Sequence, residues 1–533
     1  MQDSPEVLII GAGPTGLMLA CQLAIRQIPF RIFEKNEGHN TQSRAMVIHA
    51  ASMEIFFQMG IASQFLHLGK QVTAINYLVN GKVAKRIPMH DFGRGLTAFP
   101  YLLALEQSKT EQLLIAFLSQ LGYFVEWKTE LISFTQENHQ VQAVVRNPES
   151  REETVHASWL VGADGSKSLV RHWLDLPLGG ETYPMDLFVL DCQVNWPLKN
   201  DELYIAFSDH SFAGFFPLPE GRCRLIGFAP TDYDHQTGIR FEDVSNGFAD
   251  RMQMKVALRD PHWISSYHAH HRYVSQFRKD RCFLAGDAAH IHSPVGAQGM
   301  NTGLQDAYNL AWKLQFVIQG KASELLLSTY QEERLPFARQ LVKTTDRAFG
   351  ITVSSNPFIK VMRMYIAPYL LSVILNIKYL ARFIFKNLSQ IGITYRHSLL
   401  SRKASSGSFP VSAPVPGERL PFAEWEKQPG SPVNIQHLID GKTMVLFLFP
   451  GDQGGNNPIE IKHITEIAEK YSGLILPVPI PFQDGSASLY QLFGIKTTGL
   501  YLIRPDFYIA YRSNRMDPDH FSNYLNTFLI RGG

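Results

Sequence analysis

Residues 7–16 read Val-Leu-Ile-Ile-Gly-Ala-Gly-Pro-Thr-Gly, and Glu34 follows eighteen positions after the last of the three glycines. Val7 to Ile10 is an unbroken apolar run, the pattern of a strand buried on both faces. Gly11 permits a tight turn, Gly13 lets the backbone approach a pyrophosphate, and Gly16 lets the next helix sit close to the strand. Leu17 to Arg26 has helical periodicity, and Phe30 to Phe33 is a second apolar strand ending at Glu34. The helix N-terminus offers free N–H groups and partial positive charge to phosphates, while Glu34 stands where a carboxylate accepts a ribose hydroxyl. This order predicts a parallel, doubly wound α/β sheet that binds a dinucleotide.

Two further stretches repeat the theme of strand, glycine turn and helix. The first is Leu160-Val-Gly162-Ala-Asp164-Gly165-Ser-Lys-Ser168-Leu-Val-Arg171. The second runs from Arg281 through Gly286-Asp287, His290, His292, Pro294, Gly296 and Gly299-Met300-Asn301 into a helical stretch that continues to about Thr345. Asp287 at a strand end suits the hydroxyls of a ribityl chain. Gly296 and Gly299 let the backbone come close to a flat ring, and the amides of Met300 and Asn301 begin a helix able to stabilise negative charge there.

Between these motifs the periodicity changes. Alternating segments around 73–100 and 186–276, such as Phe188 to Val194 and Arg222 to Phe228, predict an antiparallel sheet built from two separate stretches. Glu106 to Leu121 is helical, as is Pro357 to about Ser389. Within the latter, Lys360 to Lys386 is basic and apolar; it reads as a helical pair packed on the dinucleotide domain, with a membrane surface as the alternative. Ser, Pro and Gly mark a boundary from Ser401 to Gly417, and beyond it strands and helices alternate over about 120 residues.

The length of 533 residues fits about three or four domains. A hydrophobic share of 45% with 18% charged residues excludes a largely disordered chain. Net charge is only +2, so no global charge draws the chain to nucleic acid or to an anionic membrane. The four cysteines, Cys21, Cys192, Cys223 and Cys282, are far apart and form no CxxC; this argues against a disulfide framework or a zinc site and favours a reducing, cytoplasmic compartment. Asp3 and Glu6 precede a short apolar run, unlike a secretory signal. The most apolar window, Met364 to Ile377, covers about 14 residues against the roughly 20 of a bilayer span. His268, His270 and His271 cluster without a matching acid or cysteine, so no metal site is expected.

The three glycine motifs, in this order, resemble the FAD-dependent single-component aromatic monooxygenases with the para-hydroxybenzoate hydroxylase-like fold. The third motif is similar nearly residue for residue through Asp306-Ala-Tyr-Asn-Leu-Ala-Trp-Lys313, and residues 387–398 also resemble the family. The C-terminal unit, with Leu502-Ile-Arg504-Pro505-Asp506, resembles the thioredoxin-like appendage of the phenol and polyketide hydroxylase branch. The resemblance implies an FAD-binding domain of residues 1–72, 101–180 and 277–345 and a substrate-binding sheet domain of 73–100 and 181–276. A helical segment 346–400, a linker 401–417 and a thioredoxin-like domain 418–533 complete it.

By the same resemblance Gly11, Gly13 and Gly16 would hold the FAD pyrophosphate, and Glu34 the adenosine ribose with Lys35 beside it. Arg44 would contact the phosphate or ring side, and Gln107 the ribityl-pyrophosphate region. Asp164 and Arg171 would serve FAD and a passing nicotinamide cofactor. Asp287 would bind the ribityl or pyrophosphate part, and Pro294, Gly299, Met300 and Asn301 would frame the isoalloxazine. The sequence departs from the family after Arg44, where His49-Ala-Ala-Ser52 replaces a His-Pro-Arg element.

The implied reaction hydroxylates a phenolic or polycyclic aromatic with O2 and NADPH or NADH through a flavin C4a-hydroperoxide. Tyr204, Phe215, Phe216, Phe228 and Pro294 are the pocket candidates, with core packing as the alternative for each aromatic. No catalytic residue is singled out. His290 and His292 are expected to support loop geometry. A halogenase is disfavoured because no Trp-x-Trp-x-Ile-Pro element occurs. A related reductase and a non-catalytic interaction protein are the competing functions. A homodimer is compatible with the sequence.

Overall fold

The computed structural model describes residues 5–531 except 42–44, 138, 210, 231–232, 234–235, 237, 294, 355, 402–408, 429–430, 452–457 and 472. Arg44 and Pro294 therefore lie outside the described residues. A six-stranded sheet runs in the order Arg278–Lys279, Cys282–Leu284, Trp159–Gly162, Val7–Ile10, Phe30–Glu34, Glu126–Trp127. Val7–Ile10 is its centre, paired in parallel with Phe30–Glu34 on one side and Trp159–Gly162 on the other. All four of its residues are buried, which is why the run is apolar without alternation.

Pro14–Ile25 is the first helix, and Gly16 is what lets it dock. A Cβ at Gly16 would come within 1.9 Å of the Gly11 carbonyl oxygen. The helix Gly299–Ile318 lies against this first helix, with the Thr15 hydroxyl 2.4 and 2.2 Å from where side chains on Gly286 and Gly303 would begin. The expected helical stretch from Asn301 to Thr345 divides into Gly299–Ile318 and Leu325–Val353, with Gly320 left-handed between them (φ +68°).

The second layer is an eight-stranded sheet: His290–Ile291, Ala257–Tyr273, Gly179–Asn195, Arg222–Phe228, Phe212–Pro217, Leu203–Phe207, Ala74–Val79, Lys82–Pro88. It is antiparallel except where Leu203–Phe207 meets Ala74–Val79 in parallel. A three-stranded sheet of Glu130–Glu137, Gln140–Arg146 and Glu152–Ala157 was not foreseen, because its half-exposed hairpins carry only a weak apolar alternation.

The C-terminal unit is a four-stranded mixed sheet ordered Ile475–Pro479, Met444–Phe449, Gly499–Ile503, Ile509–Ser513, with helices Pro458–Glu469, Ala487–Phe493 and Pro518–Leu525. The segment after residue 356 packs along its inner side, with Met364, Ala381 and Phe385 buried, but leaves a large apolar face outward. Its helical segments from Pro357 to Asn376 form a 20-residue run, longer than the window of about 14 and apolar enough by composition to cross a bilayer, but mostly unburied. Its inner edge is tied to the sheet, since the Tyr77 hydroxyl donates to the Arg363 carbonyl at 2.7 Å and Met364 is buried.

Candidate active site

The turn between strand and helix opens onto a cleft of about 240 Å³. Gly11, Gly13, Glu34, Lys35, Gln107 and Asp164 all line it, so it gathers residues from the first two glycine motifs and from the start of the helix Gln107–Gln120. Gly11 has φ +101°, and a side chain there would strike the Ala163 carbonyl oxygen at 2.5 Å. Gly13 differs: nothing lies within 4 Å of where its Cβ would be, leaving room for a group laid against the backbone.

Glu34 accepts the Ala12 N–H at 2.9 Å and the Asn36 amide at 2.6 Å, which fixes its carboxylate at the cleft. Asp164 accepts the N–H groups of Leu169 (2.7 Å) and Val170 (3.2 Å) through Oδ2, while its buried Oδ1 has no hydrogen-bond partner. Burial pushes its carboxyl up against the pull of those amides. The donor set of Lys35, Lys167 and Gln107, the open space at Gly13 and the unspent Asp164 oxygen fit a dinucleotide such as FAD.

The sequence reading missed Glu111, which also lines the cleft. It accepts Gln107 Nε2 at 2.8 Å and the Asn40 N–H at 3.1 Å. Its signal was available: Gln107 and Glu111 stand four apart on the helix Gln107–Gln120 and share a face.

Arg171 faces its own neighbourhood. Its guanidinium donates to the carbonyls of Ser166 (2.8 Å) and Ala288 (3.1 Å), tying the second motif to the third. Asp287 is exposed on the turn Gly286–Ala288. Gly299 opens the long helix against the ring of His292, and Met300 is buried beside it.

Asn301 is fully buried, and its side chain is spent inward. It accepts the His49 N–H (2.9 Å) and Ser52 hydroxyl (2.8 Å) and donates to the carbonyls of Val47 (2.8 Å) and Ala297 (3.1 Å). Only its backbone is left for a ligand at the helix start. The His49 ring nitrogen approaches the Gly296 and Ala297 carbonyls at 3.0 and 3.2 Å. The element that departs from the family, His49 to Ser52, thus latches the 295–301 loop. Burial lowers the pKa of both His49 and His292 to about 4, so both rings are neutral near pH 7. His290 contacts Asp306 at 2.7 Å and stacks on Phe277, which places it in the core.

Strand alternation divides the pocket candidates between the two faces of the large sheet. Tyr204 and Phe215 are buried on the outer face in a core with Phe188, Leu225 and Phe248, beneath the helices Phe241–Ser245 and Phe248–Met252. The Tyr204 hydroxyl accepts the Lys199 N–H at 3.0 Å. These two are core residues, not pocket residues. Phe216 and Phe228 point the other way, half-buried, and Phe216 packs against the core of the dinucleotide domain. Phe212, Trp263 and Tyr267 share that inner face and were missed, because without strand pairing their phase was not readable.

A buried ion pair also crosses the inner face. Arg224 donates to Asp191 at 2.5 and 2.6 Å from directly opposite in register, and Trp263 Nε1 donates to Asp191 at 3.0 Å. Arg224 also reaches the Ala45 carbonyl at 3.3 Å, so this pair joins sheet to dinucleotide domain. His268, His270 and His271 each have a separate partner: Asp186, Thr182 and Asp346. Among the described residues no three His, Cys, Asp or Glu side chains come together to hold a metal.

The FAD binding domain family matches residues 4–345. The chain is 33% identical to 6-methylpretetramide 4-monooxygenase of Streptomyces rimosus over 96% of this chain and 91% of that one. It is 27% identical to pentachlorophenol 4-monooxygenase of Sphingobium chlorophenolicum over 98% and 97%. The fold superposes on the crystal structure of the flavin-dependent monooxygenase PieE in complex with FAD and substrate, with a TM-score of 0.82 at 21% identity, covering 99% of this chain and all of that one.

Proposed function

The chain belongs to the FAD binding domain family and is an FAD-dependent monooxygenase, and from that premise we propose that it hydroxylates a phenolic or polycyclic aromatic with O2 and NADPH or NADH. The observation that carries the substrate class is the inner sheet face, where Phe216, Trp263 and Tyr267 stand half-buried against the main core and half-buried Phe212 and Phe228 extend the same face. Flat aromatic side chains of this kind stack on a flat aromatic substrate.

Bound FAD supplies electron transfer and oxygen activation, chemistry that no side chain provides. Gly11, Gly13 and Gly16 would receive its pyrophosphate, Glu34 its ribose hydroxyls, and Asp164 and Gln107 the chain between. Arg171 acts at one remove by holding the Ala288 carbonyl. The helix start at Gly299 to Asn301 would direct backbone N–H groups and its dipole at the flavin ring. Asn301 and His49 keep that start in place. The Arg224–Asp191 pair closes the sheet against the cofactor domain and helps exclude water from the reacting oxygen.

A thioredoxin-like reading of the C-terminal unit is supported by its mixed sheet with flanking helices; holding no cysteine, it serves structure rather than dithiol exchange. A reducing cytoplasm is supported by four buried, free cysteines.

The test is NADPH and NADH oxidation by the FAD-loaded protein with a panel of phenols, naphthols, anthraquinones and tetracyclines. Stimulation by one compound, with a product heavier by one oxygen, is expected. Oxidised cofactor with no oxygenated product from any aromatic would overturn the substrate class and favour the reductase reading.

A further inference from the structure

Residues 347–417 contain nine Lys or Arg and no Asp or Glu. The rest of the chain holds 41 basic and 48 acidic residues, so the near-neutral total conceals a strongly basic segment. Within it the helical run Pro357–Asn376 places Phe358, Val361, Tyr365, Tyr369 and Val373 three or four positions apart, on one helical face. That face points to solvent: Phe358, Tyr365 and Tyr369 are 73%, 64% and 72% exposed. A surface helix normally turns its apolar stripe to the core, so this one is inverted.

The next helix, Lys378–Leu388, continues the pattern. Tyr379 is 77% exposed, Phe383 is exposed, and Lys378, Arg382 and Lys386 stand exposed around them. None of these three cations pairs with a carboxylate among the described residues. The inner faces are meanwhile fixed. Ala381 and Phe385 are buried, and the Phe385 ring lies against Gly93. Lys360 pairs with Asp209 at 3.1 Å, and Arg363 lies over the Phe207 ring. The outward apolar face is therefore the docked arrangement of these helices.

We propose that residues 357–388 form a docking face for the surface of an anionic phospholipid bilayer. Exposed Phe, Val and Tyr side chains would enter the headgroup and acyl boundary, where tyrosine rings are favoured. Lys378, Arg382 and Lys386 would lie over lipid phosphates. Charge argues against a second copy as the occupant. A two-fold contact apposes the same patch on both subunits and would bring two acid-free basic segments together. A bilayer supplies the missing negative charge.

The test uses the full-length, FAD-loaded protein and co-sedimentation with vesicles. Binding is expected to vesicles of equal parts phosphatidylglycerol and phosphatidylcholine, to weaken with added NaCl, and to be absent with phosphatidylcholine alone. A K378Q/R382Q/K386Q variant should bind at least about tenfold more weakly. A Y369S/Y379S/F383S variant should lose binding through the apolar contribution, with flavin content and unfolding midpoint unchanged in both. The parent protein alone can overturn the proposal, by ignoring anionic vesicles at low salt or by binding neutral ones equally well. Dimerisation abolished by the Y369S/Y379S/F383S substitutions, without vesicle binding, would assign the face to a second copy instead. None of these outcomes depends on the hydroxylation reading.

Discussion

Replacing Arg504 by methionine removes one cation from a buried group of two cations and two anions. Arg504 donates to Glu333 at 2.6 and 2.9 Å and to Asp506 at 2.8 and 2.5 Å. Lys313 also donates to Glu333, at 2.7 Å, and all four side chains are almost wholly out of water. Burial alone would raise the Glu333 carboxyl, but Arg504 and Lys313 hold it well below the usual carboxylate range. Burial in turn pushes Lys313 down to about 8. With Arg504 gone, two carboxylates face one ammonium, and breaking a buried pair in this way costs about 3–5 kcal/mol. The side chains come from the C-terminal unit and from the helices Gly299–Ile318 and Leu325–Val353, so the loss should open the contact between units. Amide hydrogen exchange in peptides covering 299–318 and 499–513 should quicken by roughly two to three decades. In R504M/E333Q one cation and one anion remain, Lys313 and Asp506, and at least half the loss should return. A single-variant loss below about 1 kcal/mol, or a double variant as costly as both singles summed, would refute the clamp.

The remaining expectations concern the site itself. His49 takes a proton near pH 4 in the folded chain and near pH 6.5 unfolded, so the unfolded state binds more protons in between and stability rises with pH across that window. The margin of the parent over His49→Gln in urea unfolding should therefore be full above pH 6.5 and shrink by up to about 3 kcal/mol toward pH 4; a margin independent of pH would be inconsistent with a buried neutral ring. Gly13→Ala should leave the flavin-free unfolding midpoint within about 1 kcal/mol of the parent while weakening FAD binding at least tenfold, whereas Gly16→Ala should lower both, because its Cβ meets the Gly11 carbonyl oxygen. Tyr204→Phe should leave KM for the stimulating aromatic unchanged, while Phe216→Ala raises it about tenfold; the reverse order would place the substrate on the outer face of the sheet.

The dinucleotide unit was legible because its determinants are local. A four-residue apolar strand, three glycines of fixed spacing and an acid at the end of the next strand leave little freedom; Gly11, Gly13 and Glu34 line one cleft, while Gly16 packs the helix onto the turn. The sheet face of each aromatic was not legible. Tyr204 and Phe215 face outward, and Phe216 inward, through a one-residue difference in phase that only strand pairing reveals. The role of Asn301 was likewise hidden. Its position at a helix start suggested a ligand contact, but its four hydrogen bonds join residues 47–52 to residue 297. Average charge concealed the basic helical segment, because an acidic remainder cancels it.

The helix Gly299–Ile318 explains why the stretch Asp306 to Lys313 is so specific. It is buried on nearly every side, yet Asn301, Gln305, Asn309 and Lys313 form a polar stripe at four-residue spacing. The four reach three partners: Asn301 the 47–52 segment, Gln305 the amide of Gln390, and Asn309 and Lys313 together the carboxylate of Glu333. Asp306, off the stripe, binds His290, Arg334 and the Gly286 N–H. An apolar helix of equal volume would fill the same space without choosing a rotation or a register, whereas these buried polar groups are satisfied in one arrangement only. The N-terminal end of that arrangement holds the 295–301 loop, and its middle receives Asp506 through Asn309 and Trp312. The C-terminal unit is therefore tied to the middle of this helix, an arrangement that requires no cysteine.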